Sequence, residues 1–386
     1  MRVFLIVLDS VGIGGAPDGE KFNDGGSNTL KACFQSGKLN IPNLKRLGLY
    51  NIDGVDFGQK TDMPLGAYAR LIEKSNGKDT TVGHWELAGL VSNEPFPTYP
   101  NGFPKEIIEE FELKTGRKVL CNRPYSGTEV IKDYGREHIE TGNLIVYTSQ
   151  DSVFQIAAHE QVVSVNQLYE YCQIARKILV GKHSVGRVIA RPFVGDEKEG
   201  FKRTANRKDF SVQPPKKTML DCLKENGKQV IGIGKIGDIF GGQGLTESIK
   251  TKSDSDGIEK TLEVIDRDFD GLCFVNLVDF DAVYGHRNDV DGYAENLNRF
   301  DIGLGKILKE LKESDILMIT ADHGCDPSTP STDHSRECVP LLIYGNNVNP
   351  INVGKESFST VGKTVCDLFR VKNDLYGKSI YDKIMR

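Results

Sequence analysis

Arg2-Val-Phe-Leu-Ile-Val-Leu8 runs directly into Asp9, Leu272-Cys-Phe-Val-Asn-Leu-Val278 into Asp279-Phe280-Asp281, and Ile316-Leu-Met-Ile-Thr320 into Ala321-Asp322-His323. Unbroken apolar runs of this kind, with Gln229-Val-Ile-Gly-Ile233, suit strands buried on both faces. Leu297, Phe300, Leu304, Ile307 and Leu311 recur at helical spacing and put one apolar stripe against such a sheet. The alternation predicts an α/β core with a mainly parallel sheet flanked by helices. Open sheets of this class bind ligands beyond the carboxyl ends of their strands, so the acids should converge on one crevice.

Proline is unevenly placed. One cluster lies in Glu94-Pro-Phe-Pro-Thr-Tyr-Pro-Asn-Gly-Phe-Pro104 and another in Ser211-Val-Gln-Pro-Pro-Lys-Lys217. Such stretches are stiff connectors. The block between them has its own pattern: helical Lys105–Lys114, strand-like Leu144–Thr148, helical Val165–Leu179 and strand-like Val188–Ala190. Residues 95–213 therefore read as an α+β domain inserted into a core made of 1–94 and 214–386, free to rock on its connectors.

The 386 residues carry 49 Lys and Arg against 54 Asp and Glu, a formal charge of −5. No basic block offers a footing for nucleic acid or an anionic membrane. The apolar run Val3–Leu8 is too short for a signal peptide's core or a bilayer span. Eight scattered cysteines without a C-x-x-C pair read as reduced, cytoplasmic thiols.

Two of the seven histidines extend the strand-end pattern: His286, five residues after Asp281, and His334, in the loop after Asp322-His323. A lone Asp after a strand is ordinarily a helix cap and a lone His a satisfied polar group. Together, Asp9, Asp281, Asp322, His286, His323 and His334 are a mixed oxygen and nitrogen set that suits Zn or Mn better than Mg or Ca. Lys78-Asp-Thr-Thr-Val-Gly-His-Trp-Glu86 places Asp79 and Thr80 just before a helix predicted from Gly83, whose N-terminus would favour a phosphate. Thr80 or Thr81 could be activated by two divalent cations, or both hydroxyls could simply cap the helix. Gly232-Ile-Gly-Lys-Ile-Gly237 matches a dinucleotide fingerprint, but the glycines that follow deny it a helix, and Asp254 and Asp256 fall in a Ser/Lys/Asp loop.

The order of these motifs resembles the alkaline phosphatase superfamily. More narrowly, Leu8-Asp-Ser-Val-Gly-Ile-Gly14, Lys78-Asp-Thr80, Gly83-His-Trp-Glu86, Arg187-Val-Ile-Ala-Arg-Pro-Phe193, Asn276-Leu-Val-Asp-Phe-Asp281 and Thr332-Asp-His334 resemble the phosphopentomutase family, over essentially the whole chain. The resemblance implies an alkaline-phosphatase-like core with two divalent metals, typically Mn2+, under a mobile cap. Asp281, His286 and His334 would hold one metal; Asp9, Asp322 and His323 would hold the other. Thr80 would bridge them as the phosphorylated nucleophile. The implied reaction interconverts ribose 1-phosphate and ribose 5-phosphate, and the 2-deoxyribose pair, through a sugar bisphosphate that also acts as activator. Arg191, Arg203, Arg207, Ser149 and Asp151 are the candidates for binding substrate in the cap. Val82 and Cys325 depart from the family's usual Thr and Asn, and a thiol there could alter metal preference or oxidation sensitivity. The rivals are a metal-dependent phosphomonoesterase, an NAD-dependent oxidoreductase and a non-catalytic sugar-phosphate sensor. A sulfatase is disfavoured, since its C-x-P-x-R motif is absent.

Overall fold

The computed structural model describes residues 1–149 and 151–386. Fourteen strands are found among them. In chain order they are β1 Arg2–Leu8, β2 Ala67–Ile72, β3 Val119–Pro124, β4 Leu144–Thr148, β5 Val153–His159, β6 Arg187–Val194, β7 Lys202–Arg203 and β8 Lys208–Ser211, followed by β9 Gln229–Ile233, β10 Glu247–Ile249, β11 Gly271–Leu277, β12 Ile316–Thr320, β13 Val339–Tyr344 and β14 Asn352–Ser357. The chain divides into two compact units, Met1–Glu94 with Pro214–Arg386, and Pro95–Gln213.

The larger unit is built on an eight-stranded sheet of order β10-β9-β11-β1-β12-β13-β2-β14. Only β13 runs antiparallel to its neighbours. β1 lies at the centre, parallel to β11 on one side and β12 on the other. Every residue of β1, β11 and β12 is buried, which is why these strands read as continuous apolar runs. Each such Val, Leu, Ile or Phe side chain contributes roughly 1.5–3 kcal/mol by leaving water. The exception in β1 is Arg2, whose buried guanidinium pairs with Asp315 and donates to the carbonyls of Ile265 and Arg267. That ion pair pins the start of β1, so the strand delivers Asp9 at the other edge in fixed register.

The helix Val290–Glu310 lays Leu297, Phe300, Leu304 and Ile307 against this sheet. Its Asp301 accepts from the backbone N–H groups of Asn43 and Leu44 and so caps the short helix Pro42–Leu47. No helix among the described residues is long and apolar enough to cross a membrane.

The smaller unit holds a sheet of order β3-β4-β5-β6-β7, with β8 also paired to β6. It is mixed: β4–β5 is antiparallel while β5–β6 is parallel. Alternation along β4 sends Leu144 and Val146 into one cluster with Phe111, Phe154 and Leu168. Ile145 and Tyr147 go into a second cluster with Val130, Ile131 and Phe193. The helices Lys105–Thr115 and Val165–Ile178 cover the first face and Glu129–Thr141 the second.

Candidate active site

Because β11, β1 and β12 are adjacent and parallel, their carboxyl ends bring Asp281, Asp9 and Asp322 together. Asp281 sits in a π turn, Phe280–Tyr284, which leads into a 3-10 turn carrying His286. Irregular turns of this kind re-aim side chains at functional sites. Asp9, Asp322 and His323 are buried, while His286, His334 and Thr80 are half-buried.

Asp9 and Asp322 are each held by one oxygen and present the other. Asp9 Oδ2 accepts from Asn276 Nδ2 at 2.9 Å. Asp322 Oδ1 accepts from the N–H of Ser10 at 3.1 Å. Ser10 adopts φ 72, a left-handed conformation that costs a non-glycine residue about 1–2 kcal/mol and aims this N–H inward. Asp9 Oδ1, Asp281 Oδ1 and Asp322 Oδ2 are buried and find no hydrogen-bond partner among the described residues. Leaving such atoms unpaired is costly, and a cation is what would compensate them.

The histidines point to the same conclusion through their tautomers. Nδ1 of His286 lies 2.6 Å from the Thr332 carbonyl, that of His334 2.9 Å from the Lys78 carbonyl, and that of His323 2.9 Å from the Gly324 carbonyl. A carbonyl only accepts, so each Nδ1 carries the proton and each Nε2 is turned toward the acids. His286 Nε2 lies 3.1 Å from Asp281 Oδ2, and His334 Nε2 lies 3.3 Å from Asp281 Oδ1. His323 Nε2 is 3.4 Å from Asp9 Oδ1 and 3.3 Å from Asp322 Oδ2.

Without a cation, protons must balance the charge. Its hydrogen bond to Asp281 lifts His286 to about 9. Burial opposes a charge on His323, but Asp322 and Asp9 raise it well above the ordinary range. Burial, and then the neighbouring charge of Asp322, push Asp9 up. The donor set therefore fits divalent cations.

Two groups of ligand atoms lie close enough to hold an ion: Asp281, His286 and His334, and Asp9, Asp281 and His323. Asp281 stands in both. Asp322, expected in the second set, reaches it through its approach to His323. The described residues thus bring all six expected ligands to one place.

The nucleophile segment differs from expectation. The helix begins at Thr80, three residues earlier than the sequence suggests, and Asp79 is its cap, with Oδ1 accepting from the N–H of Val82 at 3.1 Å. Neither threonine hydroxyl is needed as a cap. Thr80 Oγ1 instead lies 3.1 Å from His323 Nε2. Val82 is buried and apolar, and Cys325 donates to the Asp333 carbonyl at 3.6 Å while burial pushes its thiol far up.

Several residues that build the site carry no local signal. Glu337 is fully buried and accepts from the N–H of Gly14, the N–H and hydroxyl of Thr29, and the hydroxyl of Ser335. It staples three strand-end loops together, and a Cβ on Gly12 would collide with it. Burial pushes Glu337 up to about 7 even with these donors. Glu337→Gln would turn an amide N–H2 either toward backbone N–H groups, which can only donate, or toward the Thr29 and Ser335 hydroxyls, which would have to reverse. It should destabilise the fold by about 2–4 kcal/mol at pH 8. Denaturant unfolding checks this, and wild-type stability would show that the donors do not need the carboxylate. Arg336, also buried, pairs with Glu73 and Asp18 and donates to the Gly77 carbonyl, tying the segment before Thr80 to the His334 loop.

In the smaller unit, a cavity of ≈ 410 Å³ is lined by all five expected substrate residues, Ser149, Asp151, Arg191, Arg203 and Arg207. Arg187 lines it as well. The strand period could have found it, since Arg187, Ile189 and Arg191 share one face of β6. Arg191 Nε donates to Gln155 at 3.0 Å, and Arg207 makes a two-pronged contact with Asp209 at 2.8 and 2.9 Å. Gly232–Gly237 forms the end of β9 and a four-residue helix, Ile236–Ile239. Asp254 and Asp256 open the helix Asp254–Ile265 instead of lying in a loop.

Residues 1–373 match the family model of the metalloenzyme superfamily. The chain is 58% identical over 388 residues to the phosphopentomutase of Lachnoclostridium phytofermentans, covering 100% of this chain and 99% of that protein. It is 55% identical over 387 residues to the phosphopentomutase of Acetivibrio thermocellus, with 100% of both chains covered. The fold is shared with the solved PH0037 protein of Pyrococcus horikoshii at a TM-score of 0.52 and 17% identity, over 97% of this chain and 99% of that one. With identity of this depth over the full length of its relatives, the chain belongs to the phosphopentomutase family of the metalloenzyme superfamily.

Proposed function

We propose that this enzyme interconverts the 1- and 5-phosphates of ribose and of 2-deoxyribose through a phosphothreonine at Thr80. The observation that carries this reading is Thr80 Oγ1 at 3.1 Å from His323 Nε2, beside buried carboxylate oxygens that lack partners. Phospho-Thr80 gives its phosphoryl group to the free hydroxyl of a bound pentose monophosphate. The bond from phosphorus to Oγ1 breaks as that to the sugar oxygen forms, and the sugar's hydroxyl proton ends on Oγ1. The bisphosphate then reorients and returns its other phosphate to Thr80. A sugar bisphosphate as activator would phosphorylate an empty Thr80.

Asp281, His286 and His334, and Asp9, Asp322 and His323, would hold two divalent cations, for which Mn2+ suits the mixed donors. Bound there, the cations supply positive charge to the phosphoryl oxygens and lower the cost of an ionised Oγ1. The chain's own part is positional. Asp79 starts the helix at Thr80, and the Nδ1–carbonyl bonds keep every Nε2 facing inward.

Arg187, Arg191, Arg203 and Arg207 suit the phosphate that is not being transferred, because guanidinium binds phosphate oxygens in pairs. Arg191→Ala should raise KM roughly 10–100-fold, the worth of one or two charge-assisted hydrogen bonds, with a smaller effect on kcat. Steady-state kinetics with ribose 1-phosphate check it. An unchanged KM would remove Arg191 from the substrate site. The function itself is tested by incubating the enzyme with ribose 1-phosphate, Mn2+ and a trace of sugar bisphosphate. Ribose 5-phosphate is the expected product, and release of free phosphate alone would make the enzyme a phosphomonoesterase.

A further inference from the structure

Gly83-His-Trp-Glu86 lies one turn beyond Thr80, and each of its residues fastens the helix that carries the nucleophile. Gly83 lets the helix abut the main chain of Asp322, where a Cβ would collide with the Asp322 carbonyl. Trp85 Nε1 donates to the Ile239 carbonyl at 3.1 Å. Glu86 accepts from the N–H groups of Lys74 and Ser75 and so holds the segment leading into the helix.

His84 is different, because it touches both halves of the reaction centre. The residue is completely buried. Its Nδ1 lies 2.9 Å from the carbonyl of Thr80 and 3.0 Å from Asp322 Oδ2. The carbonyl only accepts, so Nδ1 bears the proton and donates it to Thr80, while the same edge of the ring stands against Asp322 Oδ2. Nε2 is buried without a partner among the described residues, and the ring lies against Phe274 with centroids 5.8 Å apart. Nothing on that side competes for the ring's orientation.

The Asp322 carboxylate thus has Oδ1 held by the N–H of Ser10, while Oδ2, which makes no hydrogen bond among the described residues, lies 3.0 Å from His84 Nδ1. Oδ2 is the atom that faces His323 Nε2 at 3.3 Å. We infer that His84 is a positioning residue: its Nδ1–H, anchored on the Thr80 carbonyl, sets a polar edge against Asp322 Oδ2 and so relates that carboxylate to the main chain of Thr80. Metal ligand and nucleophile then keep a fixed spacing. Outer contacts of this kind are commonly worth 10–100-fold in metal affinity. The inference rests on Asp322 being a metal ligand and Thr80 the nucleophile.

The test compares two amides. In His84→Asn the side-chain nitrogen falls where Nδ1 stands; in His84→Gln it falls near Nε2. Mn2+ is titrated calorimetrically into metal-free, full-length protein, and unfolding is followed separately in EDTA. Gln should weaken Mn2+ binding about 10–100-fold and lower kcat with it, while Asn stays within about 3-fold of wild type. Trp85→Phe removes a hydrogen bond from the same helix without touching Asp322. It should lower stability and leave Mn2+ affinity unchanged. If His84→Gln does not fold, His84→Phe, which keeps the ring and loses the donor, takes its place.

Equal losses in the Asn and displaced-donor variants, wild-type affinity in both, or an equal loss in Trp85→Phe would each overturn the inference. Asp322→Asn separates the two levels of the argument. If it keeps wild-type Mn2+ affinity, the ligand assignment falls and the role of His84 falls with it. If it loses affinity while His84→Gln does not, only the inference about His84 fails.

Discussion

Thr80→Ala is expected to lower turnover by roughly 10⁴–10⁶-fold, the scale seen when a covalent nucleophile is removed. The helix begins at Thr80 and Asp79 supplies its cap, so Oγ1 is free to face His323 Nε2 at 3.1 Å. A phosphoryl group on Oγ1 would also lie beside the free N–H groups of the helix's first turn, which favour negative charge. The carboxylates and imidazoles are fixed by other residues, so the variant should still bind Mn2+. Mass spectrometry of the active enzyme should find phosphate on Thr80 and none in the variant. Phosphate on Thr81 alone, or near-normal turnover in Thr80→Ala, would refute the assignment. Thr80→Ser keeps the hydroxyl but loses the methyl that restricts its rotamer, and should retain part of the rate.

How much of this was readable in advance follows from the range of the interactions involved. β1, β9 and β12 have the limits their apolar runs suggest, because strands buried on both faces need no partner information to be seen. The acids after β1 and β12 were readable for the same reason. The start of the nucleophile helix was not. Thr80-Thr-Val82 is a β-branched run that lowers helix propensity, and only the Asp79 cap and the packing of Gly83 on Asp322 extend the helix back to Thr80.

The residues that hold the ligands in place were also hidden. Glu337 reaches Thr29 across 308 positions and Arg336 reaches Glu73 across 263, and no spacing rule connects residues so far apart. His84 sits inside a motif that the resemblance singled out, but its purpose depends on Asp322, over two hundred residues away. Val82 and Cys325, the two departures from the family's usual residues, are both buried.

Asp9→Asn should abolish most activity and yet make the metal-free protein more stable. Three buried carboxylates crowd this site, each with an oxygen that has no hydrogen-bond partner among the described residues. Burial, and then the charge of Asp322, raise Asp9 above the ordinary carboxylate range. A carboxyl raised in this way contributes stability below its unfolded value, near pH 3.9, and loses it as pH rises through the folded value. At neutral pH the metal-free wild type therefore bears the cost of that charge.

The amide would remove it without breaking the local structure. Its oxygen can still accept from Asn276 Nδ2, and with the Asp9 charge that helps hold a proton on His323 gone, its N–H2 can donate to the freed Nε2, 3.4 Å from the oxygen it replaces. A gain of about 1–3 kcal/mol in EDTA is expected, growing as pH rises, in line with the stability that strained active sites give up for function. Mn2+ should reverse the order. An ion at 1,000 times its dissociation constant stabilises by about 4 kcal/mol, and the variant should lose most of that gain at the site Asp9 serves. Thermal unfolding with and without Mn2+ reads both effects. A variant that is less stable than wild type in EDTA would mean that Asp9 is held for the fold, and one that keeps the full Mn2+ gain would mean that it is not a ligand.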